Sequence, residues 1–382
     1  MARRRTPGLG DRARSFIDTY TRDLTARDLQ RVFTRETREM LAFFTQGTEE
    51  REATGNDVLR HPVRHSRAFF MAFAMRLTPA RRLLYGASIV MFVFGVLDMA
   101  NRTRGASVWQ EGLPALLAGF LMVNLLLLLE VADRLTLKHD LTVARDIQRA
   151  MLPAGTFTRG AFEAHGDTLP ANTVGGDFFD ILPRPDGKIL VVLGDVAGKG
   201  SPAALMMALL LSMVRTLVDE NLAPAALAAR LNEQLMRHAP RSRFITAFLG
   251  VCDPVTGAVV YVNAGQNPPL VRTADGRTTW LRPTGMALGL SRRATFDEAH
   301  LSLAPGDLLV AYSDGVTEAE SPSGVAFEDA RLEALAEHLA SLRVGLAARR
   351  IIDEVRAYTD EARLSDDVTV LIVRLMGGGS HA

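Results

Sequence analysis

The stretch Leu193-Gly194-Asp195-Val196-Ala197-Gly198-Lys199-Gly200 (LGDVAGKG) decides how the rest of the chain reads. It ends an apolar run, 188–194, whose Val, Ile and Leu content marks a buried strand. It also leads into a helix at Ser201-Pro202, where proline suits a first helical position because its missing N–H would go unpaired there. Asp195 is therefore a carboxylate at a strand end. Gly198 and Gly200 let the backbone pass close to whatever the carboxylate holds, and the helix N-terminus points toward an anion at the same place. The stretch is not a P-loop: three residues separate Gly194 from Gly198, and Gly200 follows Lys199 where Ser or Thr is needed.

Three more motifs carry the same signature, an Asp beside Gly or another Asp at a strand end. They are VGGDFFD (174–180, with Asp177 and Asp180), YSDGV (312–316, with Asp314) and SDDVTV (365–370, with Asp366 and Asp367). Any one of them alone reads as a turn. If they converge, the like charges repel, and a divalent cation removes that cost. Oxygen ligands without accompanying His or Cys suit Mg²⁺ or Mn²⁺ and disfavour zinc. GGDFF has a superficial likeness to the GGDEF signature of diguanylate cyclases, but Phe178 stands at the Glu position, and the Asp314 and Asp366 motifs have no place in a cyclase.

Read together with ARDIQRAMLP (144–153) and NAGQNPPL (263–270), these motifs resemble, in order, those of the SpoIIE/RsbU-like family of metal-dependent (PPM-type) serine/threonine phosphatases, over about 230 residues. The resemblance implies an α+β fold, an α-β-β-α sandwich of two antiparallel sheets flanked by helices, with a centre for two Mn²⁺ or Mg²⁺ ions at one end. Carried onto this chain, Asp195 would bridge both ions and the Val196 carbonyl would bind one. Asp177, Asp314 and Asp366 would complete the shell of the second, and with Asp195 they form the expected catalytic set. Asp367 would orient a ligand, Asp180 and Gly198 would support the site, and Lys199 would face solvent or contact phosphate. Family members often have GHG where this chain has Gly198-Lys199-Gly200, and NAGH where it has Gln266. The implied reaction is hydrolysis of phosphoserine or phosphothreonine by a metal-activated water, with no protein nucleophile. The implied substrate is a phosphorylated STAS-type antagonist of an anti-sigma factor. The competing reading is a pseudophosphatase that binds a phosphoprotein without turnover.

Upstream, Leu83–Ala100 and Gly112–Ala132 each carry one charge, Asp98 and Glu130, near their ends. Each is about the ~20 residues that a helix needs to cross a bilayer. Arg60, Arg64, Arg67, Arg76, Arg81 and Arg82 precede the first run, and Arg134, Lys138, Arg145 and Arg149 follow the second, against Arg102 and Arg104 between them. That distribution predicts an inner-membrane hairpin with both termini cytoplasmic. Residues 1–82 hold 17 Arg, no Lys and 10 Asp+Glu, a net +7 that favours contact with anionic lipid.

The expected organisation is thus a helical N-terminal region (1–82), two transmembrane helices (83–132), a linker helix (133–155), the phosphatase domain (156–376) and a disordered tail (377–382). Leu137, Leu141, Ala144, Ile147 and Met151 fall on one helical face, which predicts a homodimer through residues 133–151 or a face packed on the domain. Net charge over all 382 residues is +1, against a nucleic-acid binder. The single cysteine, Cys252, excludes a disulfide framework and reads as a buried strand residue.

Overall fold

The structure, a computed structural model, describes residues 77–101, 112–240, 243–360 and 364–376. The expectations for residues 1–76, for the loop between the two apolar runs and for the tail lie outside the described residues. The chain divides into two units, Met1–Leu135 and Thr136–Ala382.

In the first unit, α1 (Pro79–Asn101) and the beginning of α2 (Gly112–Met151) are apolar around their whole circumference. Leu83, Phe92, Leu97, Phe120, Leu121 and Leu128 are all exposed. Such a surface is costly in water and suits a lipid environment. The two helices approach closely where side chains are small: a Cβ on Gly119 would sit 3.0 Å from Ser88 O, and Ser88 is buried. Arg81 Nη1 donates to Asp133 Oδ2 at 2.7 Å beyond the apolar stretch. Among the described residues, three helices are long and apolar enough to cross a membrane, 79–100, 112–151 and 201–220. The third belongs to the folded domain, where Ala203, Met207, Leu210, Leu211 and Val214 bury one face of it.

The second unit is a four-layer sandwich. One sheet has the order β1 (Phe157–Arg159), β2 (Phe162–Leu169), β11 (Val368–Leu375), β10 (Leu308–Tyr312), β7 (Leu270–Arg272), β8 (Thr278–Trp280). The other has β3 (Phe178–Pro183), β4 (Ile189–Val196), β5 (Ile245–Cys252), β6 (Ala258–Ala264), β9 (Ala299–Ser302). All pairings between these strands are antiparallel. The strands alternate faces, and both faces are apolar. Ile189, Val191 and Leu193 of β4 meet Leu309 and Ala311 of β10 and Leu371 and Val373 of β11 between the sheets. Leu190, Val192 and Val196 turn outward onto α3 (Ser201–Leu217) and α4 (Pro224–His238). Val310, Val368, Val370 and Ile372 turn the other way onto α6 (Glu328–Leu339) and α7 (Val344–Tyr358). Helices on both outer faces explain why antiparallel strands here read as unbroken apolar runs rather than alternating ones.

The apolar runs 188–194, 244–252, 258–262, 270–273, 307–312 and 368–374, which read as strands, and the segments 202–219, 224–237, 329–342 and 344–360, which read as helices, form within three residues of those bounds. Five strands, β1, β2, β3, β8 and β9, and the short α5 (Asp314–Thr317) were not foreseen. Cys252 is buried on β5, and burial pushes its thiol up to about 12.

Candidate metal centre

Register places the first two carboxylates. β3 and β4 pair Phe178 with Gly194, so Asp177, just before β3, lies at the strand end beside Asp195. Gly194 is required there: a Cβ would stand 2.5 Å from Thr246 O and from the Phe178 ring. The loop before Asp177 also comes close, since a Cβ on Gly176 would lie 3.0 Å from Val196 O and 3.1 Å from Asp195 Oδ1. The Val196 carbonyl and the Asp195 carboxylate thus face one small clearing.

The second sheet supplies the other acids. β10 pairs with β11, and the two ends are stitched by Ser313, which donates from N to Thr369 O (2.9 Å) and from Oγ to Asp367 O (3.2 Å). Asp314 follows as the first residue of α5, and a Cβ on Gly315 would fall 2.1 Å from Asp367 O. Only glycine lets that turn settle against the Asp366-Asp367 segment. Gln266 ties the sheets together at this end. Its Nε2 donates to Tyr312 O (3.0 Å), its Oε1 accepts from Thr246 Oγ1 (2.7 Å), and Thr246 is the register partner of Asp195. Gln266 is therefore a structural strut rather than a proton carrier.

Asp367 and Asp180 act on the fold. Asp367 accepts from Ala171 N and Gly176 N, each at 2.8 Å, and so fixes the loop that carries Asp177. Asp180 is buried and pairs with Arg215 Nε at 2.7 Å, while Arg215 Nη2 donates to Met151 O at the end of α2. Gly198 (φ 105°) and Gly200 (φ 75°) are both left-handed. The neighbour at Gly198 is Arg243, whose Nη1 donates to Ala197 O at 2.9 Å. Lys199 faces solvent, with its side chain 55% exposed, and its ammonium also has partners in the protein. Its Nζ pairs with Asp366 Oδ2 at 2.9 Å and donates to Ser365 O at 2.6 Å, because the acidic segment opposite is the nearest partner its loop offers.

The electrostatics are those of a site short of positive charge. Burial, then the charges of Asp195 and Asp367, pushes the Asp177 carboxyl well above its ordinary range; the Ser313 and Thr369 hydroxyls oppose this. Burial and Asp314 push Asp195 up to about 6. Burial, Asp366 and Glu318 raise Asp314. Asp177 Oδ2 is buried with no hydrogen-bond partner, an oxygen aimed at something other than the protein. This donor set, carboxylates and the Val196 carbonyl without His or Cys, suits hard divalent cations. Among the described residues no three acidic, His or Cys side chains already stand close enough together to hold an ion.

Sequence reading missed Gln148, Arg215, Arg243 and Gln266 as organisers of this end. Gln148, on α2, is buried and exchanges two hydrogen bonds with Gly175.

A double antiparallel sandwich with Asp177, Asp195, Asp314 and Asp366 at one end is the domain of a PP2C-type serine/threonine phosphatase, a metal-dependent class. The chain belongs to the SpoIIE family: the model described as Stage II sporulation protein E (SpoIIE) matches residues 185–376. Phosphoserine phosphatase RsbU of Bacillus subtilis (strain 168) is 26% identical over 239 residues, covering 62% of this chain and 70% of RsbU. Protein IcfG of Synechocystis sp. is 28% identical over 283 residues, covering 66% of this chain and only 44% of IcfG. Among solved structures, the SiaA-PP2C domain of Pseudomonas aeruginosa is 25% identical with a TM-score of 0.55, covering 64% of this chain and 98% of that domain.

Proposed function

We propose that the chain is a membrane-anchored, metal-dependent protein phosphatase that removes phosphate from phosphoserine or phosphothreonine on a regulatory protein. The observation that carries this is the convergence of Asp177, Asp195, Asp314 and Asp366 from two sheets onto one end of the sandwich, with one buried carboxylate oxygen unpartnered. Two Mn²⁺ or Mg²⁺ ions, when bound, supply an activated water and neutralise charge on the phosphoryl oxygens.

The protein's own residues do the rest. Asp195, which feels the charges of Asp314, Asp366 and Asp367 and lies beside Asp177, would serve both ions. The Val196 carbonyl would hold one of them, and Asp177, Asp314 and Asp366 would complete the shell of the other. Asp367 holds the Gly176 N–H and thereby the Asp177 loop. No side-chain nucleophile is needed, in keeping with a cysteine buried on β5.

The hydropathy of α1 and α2 and the arginine-rich flanks support an inner-membrane hairpin with both termini cytoplasmic. Leu137 and Ile147 on the continuation of α2 are 60% and 59% exposed, apolar positions that a second copy of the helix would cover in a homodimer. The likeness to RsbU, a phosphoserine phosphatase, supports a phosphoserine ester as the bond hydrolysed, and the proposed carrier of that ester is a phosphorylated STAS-type regulator. The test compares initial rates on a phosphoserine-bearing STAS-domain protein and on phosphoserine peptides of the same local sequence. Faster turnover of the folded protein supports the assignment, and equal rates remove the STAS-type regulator from it.

A further inference from the structure

A contact with substrate phosphate does not account for where Lys199 stands. Its ammonium is 2.9 Å from Asp366 Oδ2 and 2.6 Å from Ser365 O, two anchors on one short acidic segment. The loop presenting it is bounded by Gly198 and Gly200, both in the left-handed region that other residues rarely adopt. Arg243 braces that loop through Ala197 O, and a Cβ at Gly198 would fall 2.3 Å from the Arg243 Nη1. The position of the ammonium is thus set by backbone geometry as well as by a flexible stem. The side chain remains 55% exposed, so its charge keeps much of its hydration.

Asp366 is also one of the carboxylates offered to the metal centre. An ammonium and a divalent ion on the same carboxylate oxygen would bring like charges within a few ångströms of each other, an arrangement that each destabilises. We propose that Lys199 is the resident cation of the Asp366 end of the site, a placeholder whose ammonium must release Asp366 Oδ2 before a divalent ion takes it. This rests on the metal-dependent phosphatase reading. It adds that loading of this end is a competition between ion and side chain. It follows that Lys199 raises the metal concentration at which this end fills.

The experiment is Mn²⁺ titration of the full-length protein in detergent micelles, with free Mn²⁺ read by electron paramagnetic resonance. The proteins are wild type, Lys199→Met, Lys199→Gln, Lys199→Arg and Asp195→Asn, each checked for folding by a melt in EDTA. The expected result is that Lys199→Met and Lys199→Gln bind Mn²⁺ about fivefold more tightly, the upper range for an exposed ion pair, whereas Lys199→Arg, which keeps the charge, stays within about twofold of wild type. Unchanged or weaker binding in both neutral variants, with binding still lost in Asp195→Asn, overturns the placeholder and leaves the phosphatase reading standing. No saturable Mn²⁺ binding by wild type overturns both.

Discussion

Gln148 and Gly175 exchange two hydrogen bonds: Gln148 Nε2 donates to Gly175 O at 2.9 Å, and Gly175 N donates to Gln148 Oε1 at 3.1 Å. A single side chain on the last turns of α2 thereby satisfies both backbone groups of a residue two positions from Asp177. The next glycine, Gly176, is held in turn by Asp367 and faces Asp195 and Val196 O. The end of the linker helix is thus tied to the loop that carries Asp177.

Gln148→Ala leaves a buried N–H and C=O of Gly175 unpaired. The expected cost is about 1–3 kcal/mol of domain stability, read as a lowered midpoint in urea, with weaker Mn²⁺ binding alongside. An unchanged midpoint and unchanged Mn²⁺ affinity would show that the Gly175 contact carries no weight.

Asp180 is 1% exposed and pairs with Arg215, which also donates to Met151 O. Asp180→Ala strands the guanidinium and loosens the attachment of α2. Thermal and urea melts should show a loss of about 2–4 kcal/mol, below the upper values for a fully buried pair because Arg215 is 38% exposed. The folded fraction should keep its metal response, since Asp180 holds no ion.

Gly176→Ala puts a methyl group 3.0 Å from Val196 O and 3.1 Å from Asp195 Oδ1. The fold should lose about 1–3 kcal/mol, and Mn²⁺ affinity should fall further than that of Gly187→Ala. Gly187 is a fair control because a Cβ there meets nothing within 4 Å, although its φ of 87° carries a strain of its own.

Metal-free protein should lose stability as pH rises across the site's titration. Asp195 titrates at about 6 in the fold against 3.8 unstructured, and Asp177 and Asp314 are also raised. Between those values the folded state holds protons that the unfolded chain has released, so this contribution is complete below about 4 and lost as pH passes through 6. Bound cations remove the penalty. The melting-temperature gain from Mn²⁺ over EDTA should therefore be larger at pH 7.5 than at pH 5.0. A gain that shrinks with pH would contradict the carboxylate cluster.

Much of this was legible in residues. The four acidic motifs, their strand-end setting and the order in which they occur located the site, and the apolar runs located β4, β5, β6, β7, β10 and β11. β2 escaped because FEAHGDTL alternates buried apolar residues with Glu, His and Asp and contains a glycine. β3 escaped because its beginning coincides with a motif that reads as a turn. β1, β8 and β9 are edge strands of three or four residues with little apolar content of their own. Gln148, Arg215, Arg243 and Gln266 could not be placed from sequence, since each acts on a partner fixed by tertiary packing. The helical period from Leu137 to Met151 was sound, but the buried polar residue beside it, Gln148, makes the decisive contact. Lys199 is exposed, as a loop lysine should be, but its pairing with Asp366 depends on a tertiary approach of two loops that sequence does not show.

The central claim is metal-dependent phosphoester hydrolysis at the Asp195 end of the sandwich. It is tested most directly by phosphate release from a phosphoserine protein by the full-length chain in detergent, with Mn²⁺, Mg²⁺ or EDTA, beside Asp195→Asn. The account predicts release with Mn²⁺ or Mg²⁺ that EDTA abolishes and that falls in Asp195→Asn by at least about 10²-fold, on the order of losing a group that acts directly on the transition state. Binding of the phosphoprotein without release under any metal would contradict it and establish a pseudophosphatase.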